Sequence, residues 1–470
     1  MLLRRLYHDR LAQAGYLVAC QATKEAIVVD PLRDPTPYLE AARQEGVTIT
    51  AVTETHLHAD FLSGAPALAA ATGATLMLSG EGQGPAGYHR ASFPSARWLH
   101  DGDRLRFGKV VLNVMHVPGH TPEHIAFLVT DTAADELPMG MLSGDFLFVG
   151  DVGRPDLLER AAGMQGTMDA SARQLYASLR RLAQLPDYLQ IWPGHGAGSA
   201  CGKALGAVPQ STLGYERRTN WALADMSEEE FVRRALEGQP EPPPYFARMK
   251  ALNAVGVFAP ASARPVPSDA LIGALRDGAL PVDVRSAEEF AAGFLPGALN
   301  VPLGNSFLAW AGSVVPPDRD IVVVAAPTLR ASAEQAVREL QLIGIDRVLG
   351  VLAPERLTLH DGAVLSTLPS VPAVALEDQA RRGVTLLDVR NRSEWDEGHL
   401  PGARLIPLPE LASRLDELRG LGSIAVHCQG GSRSAVAASL LRAAGFDDVV
   451  NVEGGYSAWL RAGNAPVFGG

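Results

Sequence analysis

The chain has 470 residues, of which 47% are hydrophobic and 20% charged, with a formal net charge of -11. That length exceeds one ordinary core and predicts about two to four domains. The negative balance, with no sustained Lys/Arg run, counts against nucleic acid or an anionic membrane as partner, and no apolar stretch reaches the roughly 18 residues a spanning helix needs.

Met1 to Asp30 has no basic start, apolar core and small-residue cleavage site, so a cytoplasmic location is expected. In the first half, β-rich runs alternate with turns. Ala26 to Val29 ends in Asp30-Pro31, and Val47 to Val52 reads as a buried strand running into Thr55-His56-Leu57-His58-Ala59-Asp60-Phe61-Leu62-Ser63-Gly64. Leu76 to Leu78 ends in Ser79-Gly80, and Val110 to Val117 ends in Pro118-Gly119-His120-Thr121. Ile125 to Val129 follows, then Met139 to Leu142 leads into Ser143-Gly144-Asp145. A helix is predicted from about Ala170 to Gln184, and a strand from Leu189 to Trp192 that ends in Pro193-Gly194-His195-Gly196. Each polar cluster follows a strand, so the His and Asp residues can converge at one edge of a sheet packing. The helix Ser227 to Leu236 opens on Ser227 and three glutamates, a capping signal. Proline-rich breaks follow at 238–244 and 260–267, and the second is the expected domain boundary.

Beyond it the sequence repeats. Asp283-Val284-Arg285, Leu295-Pro296-Gly297-Ala298 and Val301-Pro302-Leu303 recur 105 positions later as Asp388-Val389-Arg390, Leu400-Pro401-Gly402-Ala403 and Ile406-Pro407-Leu408. Three blocks at one offset predict two copies of a domain of roughly 100 residues, each with strands alternating with helices and hence a parallel sheet.

Ligand-type side chains stand in four clusters: His56-x-His58-x-Asp60, His120, Asp145 and His195. On these motifs, about residues 1–250 resemble the metallo-β-lactamase superfamily, in particular its glyoxalase II-like branch and the persulfide dioxygenases. The dinuclear hydrolases of that superfamily carry H-x-H-x-D-H, whereas the last position here is Phe61, which offers no lone pair to a second metal. Two imidazoles and one carboxylate remain, the facial triad of non-haem Fe(II) oxygenases, which leaves coordination positions open. The resemblance to persulfide dioxygenases implies one Fe(II) per chain on His56, His120 and Asp145, with His58, Asp60 and His195 behind them. It also implies that Thr121 and Arg154 hold the thiol carrier.

Near the C-terminal end, His427-Cys428-Gln429-Gly430-Gly431-Ser432-Arg433-Ser434 lies between a strand, Ile424 to Val426, and a predicted helix, Ala435 to Ala444. Glycines let Gln429, Gly430, Gly431 and Ser432 turn their N–H groups inward, and Arg433 and the helix N-terminus add positive potential, so Cys428 is expected to react as a thiolate. This copy resembles rhodanese, on Asp388-Val389-Arg390, Glu397-Gly398-His399-Leu400-Pro401-Gly402-Ala403 and Glu453-Gly454-Gly455. That likeness implies that Cys428 carries a persulfide sulfur. In the earlier copy Ala325 stands opposite Cys428, Arg330 opposite Arg433 and Phe294 opposite His399, so it is expected to be catalytically silent and to act as a spacer, an interface or a positioning surface. Of the remaining cysteines, Cys20 is expected in the core, and Cys201 in a small-residue loop near the metal site. An odd number of cysteines argues against a disulfide framework.

The expected architecture is a multidomain α/β chain: an αββα metallo-β-lactamase sandwich over 1–260, an inactive rhodanese-like domain over 261–362 and an active rhodanese domain over 363–470, the last two with parallel sheets. The resemblances imply Fe(II)- and O2-dependent oxidation of a low-molecular-weight thiol persulfide to sulfite, and transfer of persulfide sulfur to sulfite through Cys428, giving thiosulfate. A homo-oligomer is expected. The alternatives are a dinuclear zinc, glyoxalase II-like thioester hydrolase fused to a sulfurtransferase, and a sulfur-binding sensor or carrier with a structural metal.

Overall fold

The computed structural model describes residues 1–82, 87–161, 163–257, 266–326, 328, 330–354 and 365–468. The chain divides into two compact units, Met1–Ala259 and Pro260–Gly470. The expected boundaries at 260/261 and 362/363 lie outside the described residues.

The first unit is built on two six-stranded sheets. One runs in the order β1 (Leu2–His8), β2 (Gln13–Ala19), β3 (Glu25–Val29), β4 (Thr48–Thr53), β5 (Thr75–Ser79) and β6 (Arg97–Leu99). The other comprises β7 (Arg104–Phe107), β8 (Val110–His116), β9 (Ile125–Asp131), β10 (Gly140–Gly144), β11 (Gln190–Pro193) and β12 (Ser211–Thr212), side by side in that order. Both are mixed: β3 to β6 pair in parallel, as do β10 and β11, and the other neighbours are antiparallel.

Period-two alternation explains how the second sheet serves two cores. Val110, Leu112 and Val114 on β8, Phe127 and Val129 on β9, Leu142 on β10 and Trp192 on β11 face the first sheet and pack with Val18, Ile27 and Ala51. Their neighbours Met115, Ala126, Met141 and Ile191 point the other way, onto Leu175 and Leu179 of the helix Met168–Arg180 and Phe231 of the helix Glu228–Leu236. On the outside of the first sheet the helix Ala65–Thr72 packs on β4 and β5. The layers are therefore helix, sheet, sheet, helix, as expected. The Ser227 hydroxyl accepts from the Glu230 N–H and caps the helix where the sequence signals it.

This topology assembles the site. Strands β8, β10 and β11 run in one direction, so the loops holding His120, Asp145 and His195 leave the sheet at the same edge. The loop after β4 brings His56 to meet them.

In the second unit each copy has an all-parallel sheet. The middle copy is ordered β14 (Leu299–Asn300), β13 (Leu280–Asp283), β15 (Ile321–Val324), β16 (Val348–Leu352); the last is ordered β17 (Ser370–Pro372), β21 (Val449–Glu453), β20 (Ile424–His427), β18 (Thr385–Asp388), β19 (Arg404–Leu405). Ile321 to Val324 is apolar and buried throughout, the pattern of a strand covered on both faces. The helix after β20 spans Ser432–Ala443, beginning three residues before the predicted Ala435, because Gly431 at φ 103° turns the chain directly into its first turn. Among the described residues no helix is long and apolar enough to cross a membrane.

Candidate functional site

Three imidazoles are aimed by their neighbours. Thr55 Oγ1 donates to Asp30 Oδ2 at 2.9 Å, so its lone pair receives His56 Nδ1–H, also at 2.9 Å. His120 Nδ1 lies 3.0 Å from the Arg154 carbonyl and His195 Nδ1 3.1 Å from the Ala12 carbonyl. A carbonyl can only accept, so both Nδ1 atoms carry the proton. All three Nε2 atoms are left as lone pairs, the arrangement by which an outer acceptor prepares a metal ligand.

The lone pairs point at Asp145. His56 Nε2 and His120 Nε2 lie 3.8 and 3.5 Å from its Oδ2, and His195 Nε2 lies 3.5 Å from its Oδ1. Both Asp145 oxygens are buried and, among the described residues, neither has a side-chain or backbone hydrogen-bond donor at standard geometry apart from the weak Cys201 thiol. A buried carboxylate with so little hydrogen bonding facing three imidazole lone pairs fits a cation. The donor atoms of His56, His120 and Asp145 all lie within 4.8 Å of one another, as do those of Asp60, His195 and Cys201.

Electrostatics agree with the first set being ready to ligate. Burial, with His58, His124 and His120 adding to it, drives His56 well below its usual value, and burial takes His120 down to about 3. Both are therefore neutral imidazoles. Burial, opposed by His195 and reinforced by Asp60, pushes Asp145 up to about 6. Cys201 is the contrast: burial and the carboxylates of Asp60 and Asp145 hold its thiol well above the usual value, so in the metal-free chain it keeps its proton.

His58 is directed elsewhere. Its Nε2 sits 3.1 Å from Asp30 Oδ1, and Phe61 packs against its ring at 4.3 Å between centroids. Burial disfavours an imidazolium there, but Asp30, with Glu54 and Asp60 adding to it, raises His58 to about 9. Phe61, fully buried, thus offers no ligand and also braces His58 away from the Asp145 cluster. Asp60 Oδ2 lies 3.4 Å from His195 Nε2.

The expected carrier-binding residues differ in kind. Thr121 Oγ1 is buried without a hydrogen-bond partner among the described residues. Arg154 is fully buried, its guanidinium engaged by Asp156 at 2.7 and 3.0 Å and by the carbonyls of Ala200 and Pro240. What it presents to the site is its own carbonyl, on His120. Several residues here escape the sequence reading. Asp30 is visible there only as a strand end before Pro31. His124 stacks on His56 at 4.7 Å and accepts the Asp145 N–H at 3.0 Å, and Glu123 accepts the Leu57 N–H at 2.9 Å. Both follow His120 within four residues, a proximity that could have flagged them.

In the second unit Cys428 is buried at the start of its loop, and the Gly431 N–H donates to its Sγ at 3.1 Å. Gln429 bridges outward, donating to Ser457 Oγ at 2.8 Å and accepting from Arg390 at 3.2 Å. Ser432 begins the helix, exposed, and Gly430 has open space around it. Arg433 makes a two-point ion pair with Glu394 at 2.6 and 2.7 Å, so its charge reaches the loop partly balanced. The middle copy keeps the scaffold without the sulfur. Arg285 pairs with Asp283 as Arg390 does with Asp388, and Phe290 stacks on Phe294 at 4.2 Å where Trp395 stacks on His399 at 3.5 Å. Ala325 is buried after β15.

The model for the metallo-beta-lactamase superfamily matches residues 9–195, and that for the rhodanese-like domain matches residues 268–353 and again 372–462. A crystal structure of a metallo-beta-lactamase from Staphylococcus aureus subsp. aureus COL is similar over 75% of this chain and 99% of its own, at 39% identity and a TM-score of 0.68. The chain therefore belongs to the metallo-beta-lactamase superfamily. More particularly, it is a metallo-beta-lactamase domain followed by two rhodanese-like domains. A hydroxyacylglutathione hydrolase-like protein from Homo sapiens is 35% identical over 181 residues, 38% of this chain and 54% of that protein, so the chain spans about half of that relative's length. A crystal structure of ETHE1 from Myxococcus xanthus matches 54% of this chain and 99% of its own at 27% identity, with a TM-score of 0.44.

Proposed function

We propose that this chain is a persulfide dioxygenase joined to a sulfurtransferase. The observation that carries the reading is the set His56, His120 and Asp145, two neutral imidazoles and a carboxylate, with Phe61 and an Asp30-bound His58 withdrawn from it. One Fe(II) held by these three residues would supply redox chemistry towards O2 and open positions for a sulfur ligand. The protein's own part is to keep both Nε2 atoms unprotonated, through Thr55 and the Arg154 carbonyl. The reaction balances as persulfide, O2 and water giving thiol, sulfite and two protons.

In the last domain, Cys428 would attack the terminal sulfur of a second persulfide, releasing the carrier thiol and becoming a persulfide itself. Sulfite then takes that sulfur and leaves as thiosulfate, restoring the Cys428 thiolate. The Gly431 N–H, directed at Sγ, supports both the thiolate and the persulfide. Low-molecular-weight persulfide, O2 and sulfite are thus the partners.

A second reading is a dinuclear zinc thioester hydrolase fused to the sulfurtransferase. The grouping of Asp60, His195 and Cys201 favours it by offering three donors beside the first set, and the name of the human relative points the same way. Phe61 weighs against it, since it offers no lone pair where the dinuclear hydrolases of the superfamily carry a histidine. Metal content separates the two: protein purified anaerobically should carry one iron per chain, and two zinc ions with no iron would overturn the dioxygenase reading.

A further inference from the structure

In the helix Ser432–Ala443 eight consecutive residues, Ser434 to Leu441, are buried. A helix lying on one sheet hides a stripe and gives the rest to water; this one is enclosed. Strands β20 and β21 cover one side. The middle domain covers the other, through β14 and the helices Ala287–Ala292 and Phe307–Val314. The corresponding helix of the middle copy, Arg330–Leu342, behaves ordinarily. Aligned on the strand before each loop, its exposed Ala331, Ser332, Glu334, Gln335 and Arg338 stand opposite Ser434, Ala435, Ala437, Ala438 and Leu441, all buried. The packing is one-sided, unlike an exchange between equivalent copies. The composition agrees: the covered face of the loop helix is alanine, serine and leucine, where its counterpart carries glutamate, glutamine and arginine.

A polar joint lies in this contact. The Asn300 N–H, at the end of β14, donates to Ser439 Oγ at 2.9 Å. The Ser439 hydroxyl is itself committed to the Val436 carbonyl at 2.7 Å, so its oxygen is oriented to accept. The Asn300 side-chain amide donates to the carbonyls of Asp283 and Arg285, both at 3.1 Å. A continuous buried path therefore runs from the Asp283-Val284-Arg285 turn, which the silent copy has kept, to a point about two turns along the loop helix. At the near end of that helix the Gly431 N–H meets Cys428 Sγ at 3.1 Å.

We propose that the middle domain is the mount of the sulfur-transfer loop, with Asn300 and Ser439 as positioning residues that set the helix whose first turn faces Cys428. The proposal rests on the reading of Cys428 as a sulfur carrier and assigns a task to the copy that lost its own cysteine. A helix moves as a stiff body, and a hydrogen bond to sulfur weakens steeply with displacement, so a shift at Ser439 is felt at Sγ.

The test uses the full-length chain with Ser439→Ala, which leaves the buried Asn300 N–H without its acceptor, and separately Asn300→Ala, which keeps that N–H but removes the two amide bonds anchoring it to the Asp283 and Arg285 carbonyls. Two readouts are followed: the pH profile of Cys428 alkylation by iodoacetamide, and kcat and KM for sulfur transfer from glutathione persulfide to sulfite. The expected result is an alkylation profile displaced to higher pH and a kcat lower by roughly tenfold, with KM for sulfite unchanged. A folded variant with wild-type alkylation profile and kcat, even with a lower melting temperature, overturns the proposal. If Ser439→Ala does not fold, Asn300→Ala decides by the same criteria. Wild-type protein that transfers no sulfur through Cys428 removes instead the reading beneath the proposal, so the two failures are distinct.

Discussion

Asp30 accepts from the Thr55 N–H at 2.6 Å, from the Thr55 hydroxyl and from His58, and so orients both histidines of the His56-Leu57-His58 pair, one through Thr55 and one directly. It does this from a left-handed backbone, φ 53°, a conformation that three hydrogen bonds can hold in a non-glycine residue. Because His58 is raised to about 9 from an unfolded value of 6.5, the pair stabilises the fold fully below pH 6.5, and that contribution drains away as pH rises through 9. Its size, shared by Asp30 with Glu54 and Asp60, is up to about 3 kcal/mol. Metal-free Asp30→Asn should therefore lose this part of the stability slope between pH 6.5 and 9 in denaturant titrations; a slope as steep as in wild type would contradict the assignment. Asp145 gives a second prediction. Raised to about 6, it must shed its proton to bind a cation, so metal affinity should weaken below pH 6 by roughly a decade per unit. Anaerobic Fe(II) titration at pH 5 and pH 7 measures it, and equal affinities would argue that Asp145 is not a ligand.

Among the elements, the β4 loop and the Cys428 loop were legible in different ways. Strand after strand ending in His, Asp or Cys marked the site-bearing loops, because buried strands have a clear apolar signature and the polar residues that break it stand out. What the pattern hid was orientation. His58 and His56 are indistinguishable in the motif, and only the packing of Phe61 and the reach of Asp30 tell them apart. Arg154 is expected from the resemblance to hold the thiol carrier; its guanidinium is buried on Asp156, a contact two residues away that charge counting does not reveal. In the sequence the glycines of Glu453-Gly454-Gly455 are a landmark of the rhodanese resemblance, and the pattern carries no physical reason for them. The reason is close approach: a Cβ on Gly455, which sits at φ 52°, would stand 2.2 Å from the Cys428 carbonyl oxygen, whose acceptor role to the Tyr456 N–H at 2.8 Å closes the loop. Gly455→Ala should thus displace Cys428, cost about 1–3 kcal/mol of stability and reduce sulfur transfer at least roughly tenfold. Unchanged transfer kinetics would show that the loop tolerates the backbone shift.

For the whole molecule, three folded domains in one chain make sense if the product of one site is the acceptor at another. The internal repeat, read from three motif blocks at one offset, revealed the two rhodanese-like copies; it could not reveal that one encloses the helix of the other, since tertiary burial shows in the sequence only as missing polar residues on the loop helix. On the proposed function, tethering would raise the local concentration of sulfite near Cys428 without any new contact. Loss of Cys428 should then leave the oxidation intact and strand its product. The most direct measurement is O2 uptake with a panel of small persulfides, with sulfite and thiosulfate resolved, for wild-type protein and Cys428→Ala. The account predicts O2 consumption by both, thiosulfate from wild type and accumulating sulfite from the variant. No O2 consumption with any persulfide, or thiosulfate undiminished in Cys428→Ala, would contradict it.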